Sequence, residues 1–205
     1  MVTKDCKNSG DCEDRRFYKH IFVCLFSFIV LILFIILIIF LVLRPHKPKF
    51  TLQDATVYKL NFTQGYEPYH MTTTVQVTLS SHNPNNRIGV YYDKLDVYLD
   101  YKSQQITVPT AITSVYQGHN DVTVWSPFLF GVDIPVAPYL CISVTEDQTA
   151  GLVLMHVRTS GKLRWKVGSW TSGHYHIHVN CPAFMSVDGN GVYRFQQITD
   201  CTVDV

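Results

Sequence analysis

The chain has 205 residues and a formal net charge of +1, with 17 Lys and Arg against 16 Asp and Glu. A balance this even sets up no global field to recruit nucleic acid or an acidic substrate. The length suggests one folded domain plus accessories, and the part after residue 43, about 160 residues, can bury one respectable core.

In chain order, residues 1–20 mix Lys, Asp, Asn and Arg with Cys6 and Cys12. Five residues between those cysteines is not the usual close zinc spacing, so they read as reduced thiols of a cytosolic tail. Residues 21–43, IFVCLFSFIVLILFIILIIFLVL, carry no charge and are apolar all round. At about 1.5 Å per residue, a helix of this length crosses a hydrocarbon core of about 30 Å. A cleavable signal has an apolar region of about 7–15 residues and small residues after it. Here the run is longer and Arg44-Pro45-His46-Lys47-Pro48-Lys49 follows, so a retained signal-anchor is expected. It holds no polar ladder and reads as a tether.

Lys4, Lys7, Arg15, Arg16 and Lys19 slightly outnumber Arg44, Lys47, Lys49 and Lys59, which points the N-terminal side to the cytosol. The one N-glycosylation sequon, Asn61-Phe62-Thr63, and the three cysteines of the large part point the C-terminal side outward. The span's length suits a plasma membrane. Residues 44–49 form a juxtamembrane link that Pro45 and Pro48 keep extended.

Strand signals fill residues 50–205. Phe50–Leu60 alternates loosely, and Thr72–Ser80 alternates clearly, with Val75, Val77 and Leu79 on one face. His82-Asn83-Pro84-Asn85-Asn86-Arg87 is a dense turn signal, and Ile88–Tyr101 alternates again. Further strands are expected at Gln105–Val115, Asp121–Phe130, Gly151–Thr159, Lys162–Val167, His174–Cys181 and Val192–Val203. Turns are expected at Ser160-Gly161 and at residues 188–191, and one short helix within Val136–Thr149, where Pro138 suits its start. About eight short strands with little helix describe an all-β, antiparallel sandwich behind a single transmembrane helix.

Three features could carry chemistry. In a strand, His174, His176 and His178 share one face opposite a buried Tyr175, Ile177 and Val179; no carboxylate or cysteine completes a metal site locally, so no metal or other cofactor is assigned. Cys181 and Cys201 flank one turn-rich segment and are either bridged or two buried thiols; a bridge would add roughly 3 kcal/mol. In Lys162–Trp170, alternation turns Leu163, Trp165 and Val167 inward and Arg164 and Lys166 to solvent. Nucleophile elbows, phosphate-binding glycine loops, zinc-protease motifs and close cysteine pairs are all missing from the sequence, which moves the expectation from enzyme to binding or structural protein.

Residues Asn83 to Asp93, NPNNRIGVYYD, closely resemble the signature of the plant NDR/HIN-like proteins, membrane-anchored proteins built on the late-embryogenesis-abundant group 2 domain. The runs Arg164–Gly168 and Tyr175–Pro182, and Cys201 near the end, fit the same pattern, and the resemblance extends from the membrane segment onward. It implies a single-pass plasma-membrane protein with an extracellular sandwich of immunoglobulin or fibronectin III shape, acting without catalysis in defence against pathogens. Abiotic-stress protection or lipid binding by the sandwich is the alternative. The partner would be a protein, a cell-wall component, a microbial product or a lipid, and exposed sheet edges allow self-association. Within the signature, Pro84 fixes a turn, Asn85 and Asn86 are expected to tolerate unusual backbone angles, and Gly89 to permit close approach. Arg87 completes the loop, and Tyr91 and Tyr92 should point to opposite faces of the next strand.

Overall fold

The structure is a computed structural model that describes residues 9–43, 45–63, 69–189 and 191–205. The chain divides into two compact units, Met1–Arg44 and Pro45–Val205.

The first unit is one helix, α1 (Ser9–Leu43). It begins well before residue 21, so part of the expected tail is helical. Its stretch Phe17–Ile38 has a mean hydropathy of 3.5 and buries none of itself within the protein. Among the described residues it is the one helix long and apolar enough to cross a membrane. Such a segment satisfies its backbone internally, which is what a hydrocarbon solvent demands.

The second unit is built of strands. In order these are β1 (Lys49–Thr63), β2 (Tyr69–His82), β3 (Gly89–Tyr101), β4 (Gln104–Gln105), β5 (Thr110–Ile112), β6 (Val115–Gln117), β7 (Val122–Trp125) and β8 (Phe128–Val136). Helix α2 (Pro138–Thr149) follows, with Pro138 in its first turn. Then come β9 (Leu152–Val167), β10 (Trp170–Thr171), β11 (Tyr175–Val187), β12 (Tyr193–Phe195), β13 (Thr199–Asp200) and β14 (Thr202–Asp204). The smaller sheet runs β13-β1-β2-β7, with β8 also on β2. The larger runs β12-β11-β9-β3-β4, with β10 on β9, β14 on β11, and β5 and β6 on β3. Every pairing is antiparallel.

The two sheets share one core. Alternation supplies it: Val75, Val77 and Leu79 from β2 meet Val90, Tyr92, Val97 and Leu99 from β3, Val153, Met155 and Val157 from β9, and Ile177 and Val179 from β11. Helix α2 adds buried Leu140 and Val144. The hydroxyl of Tyr101 on β3 donates to Asp147 at 2.7 Å and ties that helix down.

Four expectations need correction. Ser160-Gly161 is not a turn; β9 runs unbroken through it. Opposite lies a bulge at Asp93, where the β3–β9 register slips between Tyr92 and Lys94. A Cβ on Gly161 would overlap the Lys94 carbonyl oxygen, so this glycine serves a close backbone approach. The expected strand Asp121–Phe130 breaks at Ser126-Pro127, since Pro127 has no N–H to give a ladder; its carbonyl accepts the Val77 N–H at 3.1 Å. Gln105–Val115 becomes short pieces, β4, β5 and the start of β6, along the edge of β3. The last expected strand, Val192–Val203, splits because β13 pairs with β1 in one sheet and β14 with β11 in the other. The crossing falls at Cys201, whose sulfur is bonded to that of Cys181 and whose N–H donates to Phe50 at 2.9 Å.

Candidate functional site

The loop between β2 and β3 is organised by asparagine side chains rather than by unusual backbone. The non-glycine residues with left-handed φ among those described are Lys102, Ser103, Asn120 and Asp133, and neither Asn85 nor Asn86 is one of them. Buried Asn83 donates from Nδ2 to the carbonyls of Ile88 and Gly118, both at 2.7 Å. Its Oδ1 accepts the Asn85 N–H at 3.2 Å, an Asx turn, and Asn85 Nδ2 at 2.9 Å. Asn85 in turn grips the link. Its Oδ1 accepts the His46 N–H at 2.8 Å and its Nδ2 donates to the His46 carbonyl at 2.7 Å. Both backbone groups of His46 are thereby paired as a neighbouring strand would pair them. Pro48 is buried, so residues 45–48 belong to the domain and are not a free spacer. Asn86 accepts from Asn120 at 2.7 Å, while Arg87 is exposed.

The two tyrosines that follow face opposite ways. Tyr92 is buried against Phe50 and Trp125, edge to face. Its hydroxyl lies 2.8 Å from Ser81 Oγ and donates to Gln117 Oε1 at 3.1 Å. Gln117 Nε2 donates to the Ser81 and Asp121 carbonyls. Burial pushes the Tyr92 phenol far above its ordinary value, so this network stays neutral and structural. Tyr91 faces outward against Tyr116, ring centroids 4.5 Å apart. Lys166 donates to the Tyr91 hydroxyl at 3.1 Å and lies over both rings. Gly89 is required here because a Cβ would run into the Tyr116 ring. Beside this cluster, Arg164 holds Asp93 by two hydrogen bonds, 2.8 and 2.5 Å, and His174 Nε2 lies 3.5 Å from the same carboxylate. The Arg164 guanidinium keeps the Asp93 carboxyl below its ordinary 3.8.

A polar hollow of about 290 Å³ opens on the solvent side of the larger sheet. Register builds it. Tyr98, Arg158, Asn180 and Thr202 are cross-strand neighbours in one row over β3, β9, β11 and β14, and His178 pairs with Asp204 in the next. Arg158 Nε lies 2.7 Å from a carboxylate oxygen of buried Asp100, and His156 Nδ1 lies 3.1 Å from Asn180 Oδ1. These groups suit recognition of a polar ligand by hydrogen bonds and one cation. No linear motif announces the hollow, because its members come from four strands.

Of the histidine run, His176 and His178 are exposed on β11 and His174 precedes the strand beside Asp93. Tyr175, expected inward, is 48 % exposed because β11 begins there, beyond the edge of the core. Among the described residues no three His, Cys, Asp or Glu side chains are placed to share a metal ion. Asn61 is exposed on β1. Cys141 is buried in α2, and the side chains of Cys6 and Cys12 lie outside the described residues.

A family model described as late embryogenesis abundant protein matches residues 78–182, from β2 into β11. NDR1/HIN1-like protein 1 of Arabidopsis thaliana is 45% identical, over 98% of this chain and 100% of its own. NDR1/HIN1-like protein 12 of the same plant is 40% identical over the full length of both, and NDR1/HIN1-like protein 26 is 36% identical over 91% of this chain and 87% of its own. A solution structure of a late embryogenesis abundant protein aligns with a TM-score of 0.31 at 16% identity, covering 68% of this chain and 71% of that one, too loosely to carry an argument.

Proposed function

The chain belongs to the NDR1/HIN1-like family, and from that membership we propose that it is a non-enzymatic, single-pass plasma-membrane protein of the plant defence response, a signalling or scaffolding component with an external binding domain. The observation that carries this reading is a clamped tether: one apolar helix leads, after two residues, to His46, which Asn85 locks onto a two-sheet domain. That domain offers a hollow lined by hydrogen-bonding and charged groups, which suits recognition. Residues 1–20 are assigned to the cytosol, 21–43 to the membrane, 44–49 to the link and 50–205 to the outside, where an oxidising space favours the Cys181–Cys201 bond and Asn61 is open to glycosylation. The likeness to immunoglobulin and fibronectin III sandwiches belongs to the same proposal, supported by antiparallel ladders in two sheets around one core. A lipid-binding or stress-protective domain would be better served by an aliphatic cavity than by a hollow containing Arg158, His178 and Asp204.

The test is protease protection on sealed plasma-membrane vesicles, with the protein tagged at its N-terminus. Protease added outside right-side-out vesicles should remove the domain and leave the tail intact, and glycosidase should shift the wild type but not Asn61→Gln. A tagged protein that never reaches the plasma membrane would sink the proposal. So would unchanged pathogen resistance in plants lacking this gene together with its near relatives.

A further inference from the structure

The end of the domain that receives the link carries chemistry that the binding hollow does not use. Helix α1 ends at Leu43 and Asn85 grips His46, so no more than about 11 Å of extended chain lies between the helix and the clamp. On the reading of α1 as a membrane span, a connection this short keeps the His46 end of the domain within reach of that bilayer. The loop 83–88 lies there, with residue 120 tied to it through Asn86. So does the start of β3, where Gly89 is opposite Lys166 on β9. Immediately after Lys166 the chain reverses at Gly168, φ +57, and presents Trp170, which pairs back with Val167.

Trp170 is 62 % exposed, the most exposed tryptophan of the domain, and Tyr116 beside Gly89 is 42 % exposed. A large aromatic ring facing water at the tip of a turn leaves apolar surface uncovered. The charges around it are uneven. Arg87 is exposed, and Lys166 is hydrogen-bonded to the Tyr91 hydroxyl. The acids at this end are engaged: Asp93 with Arg164, Asp204 with Lys47, and Asp121 with the N–H groups of Gly118 and Val122. Tryptophan and tyrosine with lysine and arginine, at a fixed short distance from a membrane span, is the chemistry of the lipid headgroup layer.

We propose that the turn bearing Trp170 inserts into the headgroup region of the bilayer that α1 crosses, with Lys166 and Arg87 facing anionic phospholipid. The inference rests on the reading of α1 as a membrane span. It gives the domain a membrane-facing end that bears Trp170, Lys166 and Arg87, none of which lines the hollow.

The test uses the full chain in nanodiscs of phosphatidylcholine and phosphatidylserine, with or without bromine on the acyl chains. The protein has three tryptophans, none in α1, and Trp125 and Trp165 are half-buried, so contact quenching by bromine reports on Trp170. Brominated discs should quench the wild type, and Trp170→Phe should lose that quenching. Replacing phosphatidylserine by phosphatidylcholine, or introducing Arg87→Glu with Lys166→Glu, should reduce it. Equal quenching of wild type and Trp170→Phe overturns the docking while co-elution with the discs upholds the span. A chain that does not co-elute sinks both.

Discussion

Asn85→Ala isolates the clamp on the link. The substitution deletes two hydrogen bonds to His46, at 2.8 and 2.7 Å, and one to Asn83 at 2.9 Å. At a net of about 0.5–1.5 kcal/mol each, three such bonds amount to about 1.5–4.5 kcal/mol. His46 is exposed and regains water, which places the expected cost toward the lower end, about 2 kcal/mol. If the link opens by that amount, hydrogen exchange at the His46 amide should speed up about thirtyfold, since each 1.4 kcal/mol is a factor of ten. Asn85→Asp has nearly the same shape but replaces the donor by an acceptor. It would face the His46 carbonyl and Asn83 Oδ1 with oxygen, one of them buried, and should cost more than alanine, at least about 3 kcal/mol. Exchange mass spectrometry and urea unfolding of the full chain in micelles measure both. Unchanged exchange at His46 in Asn85→Ala, or an aspartate variant more stable than the alanine one, would refute the clamp.

Cys201→Ser should destabilise the domain by about 3 kcal/mol, the value for a loop of this length, and thermal unfolding with reductant should bring the wild type to the same level. Gly161→Ala forces a methyl group onto the Lys94 carbonyl and should cost about 3 kcal/mol or more, whereas Gly189→Ala, where a Cβ meets nothing within 4 Å, should be near neutral; equal midpoints for the two would contradict the bulge argument. Asp93 titrates below 3.8 because Arg164 binds its ionised form, so its contribution to stability is complete above the ordinary carboxylate range and fades as pH falls through the lowered value. In Arg164→Gln the carboxyl signal of Asp93 in an NMR titration should move back up toward 3.8, and no movement would exclude Arg164 as the cause.

Legibility in the sequence followed the range of the signal. The span needed only an unbroken apolar run, and β2 and β3 needed only alternation, so both were read from neighbours two residues apart. Gly161 misled because a glycine that ends a strand and a glycine that lets two strands touch look the same in one dimension. Only the bulge at Asp93, on a strand far away in sequence, tells them apart. In one dimension Asn85 reads as a residue of backbone tolerance, yet its carboxamide acts on His46, 39 positions earlier. The hollow was invisible for the same reason: Tyr98, Arg158, Asn180 and Thr202 become neighbours only when four strands take one register.

The C-terminal strand bears on how the protein can be labelled. From Cys201 it runs back toward the segment that leaves α1, and Lys47 reaches both the Val203 carbonyl and the Asp204 carboxylate. A fluorescent protein fused after Val205 would sit beside the entry segment and compete with that ion pair. The pairing of Val187 with Tyr193 lies at the opposite end of the ladder, and a small epitope placed after Gly189 would report on the domain while leaving its attachment untouched.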